Sequence, residues 1–114
     1  MSFPELIERL KALPVDEKRK ESNGYLELVL SARHLNHLYP ILEQYFGVPF
    51  KPPGIEPTSQ AESYARRYGG IRKHQTLYFI QNNGTASCAM IWPWSDGSRS
   101  TLKVAYGALE VIKA

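Results

Sequence analysis

The chain has 114 residues, of which 43% are apolar and 22% charged, with a formal net charge of +3 at pH 7. This composition is typical of one globular domain and excludes an intrinsically disordered chain. A single cysteine, Cys88, excludes both an intramolecular disulfide framework and a zinc site built from several thiolates of one chain.

The first predicted element is a helix that begins at the amino-terminal end of the chain. Ser2 and Glu5 have the spacing of a capping box, and Leu6 and Leu10 then repeat at helical spacing. Glu5 and Glu8 precede the first cation, which is unlike a secretory signal or a membrane span. We therefore expect a cytoplasmic protein that does not associate with a membrane.

The next segment mixes a charged stretch with the first strand pattern. Residues 16–24 are charged and end in Asn-Gly, which indicates a solvated helical turn followed by a turn of the chain. Residues 25–30 alternate with a period of two, as in a strand with one face inward. Helical spacing returns from Leu35 to Gly47, and Pro40 in its middle predicts a kink or two short helices.

A proline-rich loop follows this helix. Residues 47–57 contain four prolines and two glycines, a composition that favours extended backbone without regular structure. Such a long loop is either functional or packed on the body through Phe50 and Ile55. Another helix is expected from Ser59 to about Tyr68, where Gly69 and Gly70 end it.

The last third of the chain predicts a three-stranded meander. Strand-forming runs at 75–81, 85–92 and 100–106 are separated by turn sequences. The alternation predicts one core face made of Leu77, Phe79, Cys88, Met90, Trp92, Leu102, Val104 and Tyr106. The opposite face would hold Tyr78, Ile80, Ala89, Ile91 and Val29, beside Glu27 and Lys103.

Together these elements predict an α+β fold in a single domain of residues 1–114. We expect an antiparallel sheet of about four strands, the first at 25–30 and the others in the meander of residues 75–106, with three helices packed mainly on one face. The second face is also apolar. We expect it to be covered by the amino-terminal helix, by residues 109–112 or by a second copy of the chain in a homodimer.

The strongest functional signal is the basic segment, residues 64–74. It contains four of the 14 lysines and arginines and none of the 11 acidic residues. Its members Arg66, Arg67, Arg72, Lys73 and His74, flanked by the rings of Tyr64, Tyr68 and Trp94, form a candidate site for an anion or an acidic partner. Helix termination alone also places cations in a last turn and glycines after it.

Three functions remain open at this point. The favoured hypothesis is a non-enzymatic binding or adaptor domain that uses the basic segment, the tryptophans and the proline-rich loop, with no cofactor and no metal. The alternative is a nucleic-acid-binding domain with the element order of a winged helix, in which the helix at 59–68 reads the bases. A further alternative is a small enzyme that uses Cys88 or the pair His34 and His37.

Overall fold

A five-stranded antiparallel sheet forms the centre of the structure. The computed structural model describes residues 1–112. Its α-helices and strands follow one another along the chain in this order: α1 Phe3–Lys11, β1 Glu17–Ser22, β2 Tyr25–Ser31, α2 Leu35–Phe46, α3 Ser59–Ala65, β3 Thr76–Asn82, β4 Thr85–Pro93, β5 Arg99–Ala108 and α4 Leu109–Ile112. Short 3₁₀ turns at Ala32–His34 and Arg66–Tyr68 precede α2 and follow α3. The predicted α+β class is confirmed, with five strands where about four were expected and four α-helices where three were expected.

The order of strands across the sheet is β1-β2-β5-β4-β3. The last strand in sequence, β5, therefore lies between β2 and β4 and pairs antiparallel with both. This insertion joins the hairpin β1-β2 to the meander β3-β4-β5 in one sheet. It also places side chains that are about eighty residues apart in sequence on adjacent strands, such as Glu27 and Lys103.

The strand β1 corrects the expectation of a solvated helical turn at residues 16–24. All six of its residues are exposed, so it lacks the apolar alternation that indicates a strand in sequence. It is a strand because the turn at Asn23 and Gly24 folds the chain back, so that β1 and β2 pair in an antiparallel arrangement. Gly24 has a φ of 83° there, which glycine adopts at little cost.

Helices pack on both faces of the sheet, not mainly on one. The α1–α2 face joins Leu6 and Leu10 of α1 and Leu38, Leu42 and Phe46 of α2 to a core with Leu26, Leu28, Leu30, Tyr78, Ala89, Ile91, Leu102 and Val104. The α3–α4 face joins Ala61, Tyr64, Ala65 and Ile112 to Ile71, Leu77, Ala86, Cys88, Met90 and Ala105. Tyr78, Ala89 and Ile91 of the predicted second face are thus covered by α1 and α2, and residues 109–112 form a fourth helix on the α3–α4 face.

The strand β5 shows that the predicted division of the two faces was partly wrong. Trp92 pairs with Thr101 and Met90 pairs with Lys103, so Thr101 and Lys103 share the α3–α4 face with those side chains. The alternation predicts Leu102 and Val104 on the same face as Met90 and Trp92, but both belong to the α1–α2 core. The turn between β4 and β5 sets this register by pairing Pro93 with Ser100.

The helix α2 is continuous from Leu35 to Phe46 with Pro40 inside it, so two separate short helices are not formed. Pro40 is exposed, and so is Asn36 one turn earlier. Water can therefore solvate the carbonyl that a proline at this position leaves unpaired. Within residues 1–112 no helix is long and apolar enough to span a bilayer.

The proline-rich loop is attached to the edge of the sheet by Lys51. The backbone N–H of Lys51 donates to the carbonyl of Leu77, and the N–H of Leu77 donates back to Lys51, each at 3.0 Å. The Lys51 Nζ, which is buried, donates to the carbonyls of Lys73 at 2.5 Å and Gln75 at 2.6 Å. Burial lowers the pKa of this ammonium group. The loop is therefore part of the folded body.

Candidate functional site

One part of the α3–α4 face carries no extensively packed helix. On this face α3 contacts β3, and α4 contacts β4 and β5, which leaves β1, β2 and the start of β5 open. Side chains of these strands meet others from the 3₁₀ turn after α3 and from the end of β4. We call the result the basic-aromatic surface, and its members are Arg19, Lys20, Tyr25, Arg67, Tyr68, Trp92, Trp94, Arg99 and Lys103.

A β-bulge in β1 brings two adjacent cations to this surface. Lys18 pairs with Leu28 and Lys20 pairs with Glu27, so Arg19 is an extra residue opposite the regular ladder. In a regular strand Lys18 and Lys20 would share one face, because side chains alternate. The bulge instead turns Lys20 to the α3–α4 face, and Arg19 also points there, with its Nη1 lying 3.9 Å from Glu27 Oε2.

Four of these cations lie over aromatic rings of the same surface. The Lys103 Nζ is 3.7 Å from the centroid of the Trp92 ring, and the Lys20 Nζ is 5.7 Å from that of Tyr25. The guanidinium carbons of Arg19 and Arg99 each lie 5.7 Å from the Trp94 ring centroid. Such cation–π contacts hold long, flexible side chains in place while part of each cation still faces outward.

Hydrogen bonds fix the rings and the cations further. The Trp94 Nε1 donates to Thr101 Oγ1 at 3.0 Å, so the indole lies against the sheet. Arg99 Nε donates to Asp16 Oδ2 at 2.6 Å, and Ser31 Oγ donates to the same carboxylate oxygen at 3.0 Å. These bonds hold the pKa of Asp16 below its ordinary value, with the bond from Arg99 as the main cause.

Glu27 is the carboxylate in the middle of the surface, and its charge is partly neutralised. Tyr25 Oη donates to Glu27 Oε1 at 2.7 Å, while Arg19 lies close to its other oxygen. Burial, followed by the bond to Glu27, raises the pKa of Tyr25. Burial also lowers the pKa of Lys103, whose Nζ donates to the Tyr68 carbonyl at 2.8 Å. Lys103 is therefore a cation with a reduced water shell.

A groove of about 620 Å³ lies on the surface between the 3₁₀ turn Arg66–Tyr68 and α4. Its charged lining consists of Lys20, Glu27, Arg67 and Lys103, and its other lining residues are Gly24, Tyr25, Tyr68, Gly69, Tyr106, Gly107, Val111 and Ile112. The Tyr25 and Tyr68 rings stack in its wall with centroids 6.0 Å apart. The groove thus combines three cations and one engaged carboxylate with aromatic and aliphatic walls.

The predicted site residues lie in different parts of the structure. Arg67 and Tyr68 line the groove, and Trp94 belongs to the basic-aromatic surface. Arg66 is exposed but does not line the groove. Tyr64 is only 4% exposed and stacks on Phe79 with centroids 3.8 Å apart, so it is a core residue.

The remaining predicted cations lie in the turn that leads into β3. Arg72, Lys73 and His74 are exposed and do not line the groove. The turn is held by its backbone: the N–H of Arg72 donates to Gln75 Oε1 at 2.7 Å, and the Lys73 carbonyl accepts from Lys51. The basic segment is therefore divided between two regions rather than forming one cluster.

The residues of the enzyme alternative have the following surroundings. Cys88 is fully buried in the α3–α4 core, and burial raises the pKa of its thiol to about 12. At neutral pH this thiol is protonated and shielded, unlike a catalytic thiolate. The rings of His34 and His37 lie 6.0 Å apart. Within residues 1–112 no third His, Cys, Asp or Glu joins them to form a set of metal ligands.

The burial of Cys88 has a measurable consequence at alkaline pH. An unfolded thiol ionises near its ordinary pKa of 9.0, whereas the folded thiol ionises only near 12. The unfolded state therefore binds fewer protons between these values, and we expect the stability to fall by about 1.4 kcal/mol per pH unit from this group. Urea unfolding from pH 8 to 11 measures the slope. Cys88→Ala should show a shallower slope, and equal slopes would contradict the expectation.

Sequence reasoning missed Lys20, Tyr25 and Lys103 because they are far from the basic segment in sequence. The signal that points to Lys103 is a lysine between Leu102 and Val104 in an otherwise apolar strand, and the signal for Lys20 is concealed by the bulge.

Comparison with protein-family models, with curated proteins and with solved structures finds no significant match to this chain.

Proposed function

We propose that this protein is a non-enzymatic binding domain that recognises an acidic segment of a partner protein through the basic-aromatic surface. The observation that carries the proposal is that all four cation–π contacts found among the described residues lie on this one surface. Five cations gather there, and the carboxylates that meet them directly are Asp16, Glu17 and Glu27.

The arrangement suits an acidic partner for a physical reason. Free lysine and arginine side chains lose rotamer freedom when they bind an anion, and this loss weakens exposed ion pairs. Side chains that already rest on Trp92, Trp94 and Tyr25 have lost part of this freedom in the folded state. Complementary charge also accelerates the encounter with the partner.

The proline-rich loop is a second contact region in this proposal. Val48, Phe50 and Ile55 are large apolar side chains that the loop leaves exposed. The loop is also anchored at Lys51, so these side chains are presented from a fixed backbone. The loop lies at the β3 edge of the sheet, across from β1, and fixed, exposed apolar side chains are typical of protein contacts. The proposal includes a cytoplasmic location, which the single cysteine supports.

A homodimer through the second sheet face stays a prediction. Tyr78, Ala89 and Ile91 of that face are buried beneath α1 and α2, so we consider contact through the open part of the α3–α4 face, where two basic-aromatic surfaces would lie close together and like charges would repel. We therefore expect any such dimer to form at high salt rather than at low salt. Sedimentation equilibrium at two salt concentrations measures this directly.

Binding of a fluorescein-labelled decapeptide of alternating glutamate and glycine tests the proposal. Replacing Arg19 and Lys20 together with glutamine should weaken binding about threefold to tenfold at low salt, because two exposed ion pairs are lost. The double variant Lys18→Gln with Arg72→Gln removes the same charge from outside the surface and should bind like the unchanged protein. If both double variants lose equal affinity, net charge explains the binding and the proposal fails.

A second candidate function is binding of single-stranded nucleic acid. The observation that favours it is the presence of four partly exposed rings, Tyr25, Tyr68, Trp92 and Trp94, beside cations on an open sheet face, which is the combination that bases and phosphates require. An oligothymidine of 12 nucleotides in the same assay distinguishes it. Tighter binding of the oligonucleotide than of the peptide, with a salt slope that falls by about 0.7 for each cation removed, would favour this candidate.

A further inference from the structure

We infer that the groove between the 3₁₀ turn Arg66–Tyr68 and α4 binds a small amphiphilic anion, an alkyl chain that ends in a phosphate or carboxylate group. This goes beyond the proposed function, because the ligand is a small molecule and occupies only the groove. The groove volume of about 620 Å³ is within the range of small-molecule sites, about 300–1,000 Å³.

The charged end of the groove can receive the anionic group. Lys20, Arg67 and Lys103 line it. One of the three N–H donors of Lys103 is used on the Tyr68 carbonyl and the ammonium also lies over the Trp92 ring, which leaves at least one donor for a ligand. Burial has removed part of the water around this ammonium group and thereby lowers its pKa. An anion that replaces that water would restore a favourable environment for the charge.

Glu27 does not oppose the anion strongly. One of its oxygens accepts the hydrogen bond of Tyr25, and the other faces Arg19. Both carboxylate oxygens of Glu27 thus already interact with groups of the protein itself. Three cations then face one carboxylate that already has partners, so the net field at this end of the groove is positive.

The other end of the groove is apolar. Val111 is one of the large apolar side chains with high exposure, at 41%, and it lines the groove. Ile112 and Gly107 complete this end. Gly107 lies four residues beyond Lys103 on β5, a separation of about 13 Å along a strand. A ligand that spans the groove therefore needs an anionic head and an apolar tail.

Calorimetric titration with three probes separates the two parts. Octyl phosphate, inorganic phosphate and octanol present both parts, the head alone and the tail alone. We expect octyl phosphate to bind about a hundredfold more tightly than inorganic phosphate, because the tail buries apolar surface. We expect it to bind about tenfold more tightly than octanol, because the head meets cations. Octanoate should behave like octyl phosphate if charge rather than the phosphoryl group is recognised, whereas failure of octanoate to bind would overturn the carboxylate part of the inference.

Four variants locate the site. Lys103→Met and Arg67→Gln should weaken octyl phosphate about tenfold and leave octanol unchanged. Val111→Ser should weaken octyl phosphate and octanol together and leave inorganic phosphate unchanged. The matched control Val48→Ser, in the proline-rich loop where Val48 is 85% exposed, should change nothing. Arg67 and Val111 are exposed, so these two variants test the site even if Lys103→Met disturbs the fold.

Two results would overturn the inference: octyl phosphate that binds no more tightly than inorganic phosphate, or equal affinities in the groove variants and the control. The acidic decapeptide separates this failure from failure of the proposed function. A protein that binds the peptide but not octyl phosphate retains the proposed function and loses the inference. The opposite pattern retains the groove ligand and removes the acidic partner.

Discussion

Replacing Tyr64 with alanine is expected to lower the free energy of unfolding by about 3–5 kcal/mol, the usual cost of removing a buried aromatic ring. The ring of Tyr64 is only 4% exposed, stacks on Phe79 with an interplanar angle of 1° and meets the edge of Phe50 at 5.3 Å. Its loss leaves a cavity between α3 and β3. Urea unfolding followed by circular dichroism measures the effect.

Two further variants separate the ring from the rest of this residue and from the basic segment. Tyr64→Phe keeps the ring and removes only the hydroxyl, which accepts a hydrogen bond from Gln60 at 2.8 Å, so about 1 kcal/mol is expected. Arg66→Ala changes an exposed neighbour and should stay within about 0.5 kcal/mol of the unchanged protein. If Tyr64→Ala costs no more than Arg66→Ala, the assignment of Tyr64 to the core is wrong.

Gly69→Ala is expected to destabilise the protein by about 3 kcal/mol, because two costs add at one position. Gly69 has a φ of 110°, where a residue with a side chain is strained, and an added Cβ would lie 2.5 Å from the Trp92 ring. Trp92 must then move, and the Lys103 Nζ, which rests on that ring, would itself lie 3.4 Å from the new Cβ. We expect a change in tryptophan fluorescence together with weaker binding in the groove.

The adjacent glycine provides the matched control. Gly70 also has a positive φ, of 94°, but an added Cβ there would meet nothing within 4 Å. Gly70→Ala therefore carries only the backbone cost of about 1–2 kcal/mol and should leave the tryptophan emission unchanged. Equal effects of the two substitutions on both stability and emission would show that contact with Trp92 is unimportant.

Local patterns predicted most helices and strands, and they failed where neighbours in space decide the outcome. The capping box at Ser2 and Glu5 is present in the structure, and the strand at 25–31 is formed. By contrast, β1 contains no apolar residue and is held by its pairing with β2, which no local pattern records. The two faces of β5 were exchanged because the parity of a strand depends on the register of the preceding turn.

The sequence predicted only those residues of the candidate site that lie within or next to the basic segment or were singled out individually. Arg67 and Tyr68 were found because they belong to the basic segment. Lys20 and Lys103 were not, because β5 lies between β2 and β4, and this topology cannot be derived from alternation alone. Tyr64 was misjudged for a related reason: a tyrosine on a short polar helix has the same local pattern whether it faces solvent or a sheet.

The two edges of the sheet limit how these molecules can associate. At one edge β1 is entirely polar and carries the bulge, and at the other the start of β3 is already paired with Lys51. Neither edge therefore offers a long, regular row of free backbone groups on which another strand could grow. Fibril formation from the native state is disfavoured for this reason. Concentrated solutions of the protein should resist β-aggregation as long as the backbone pairing between Lys51 and β3 is intact.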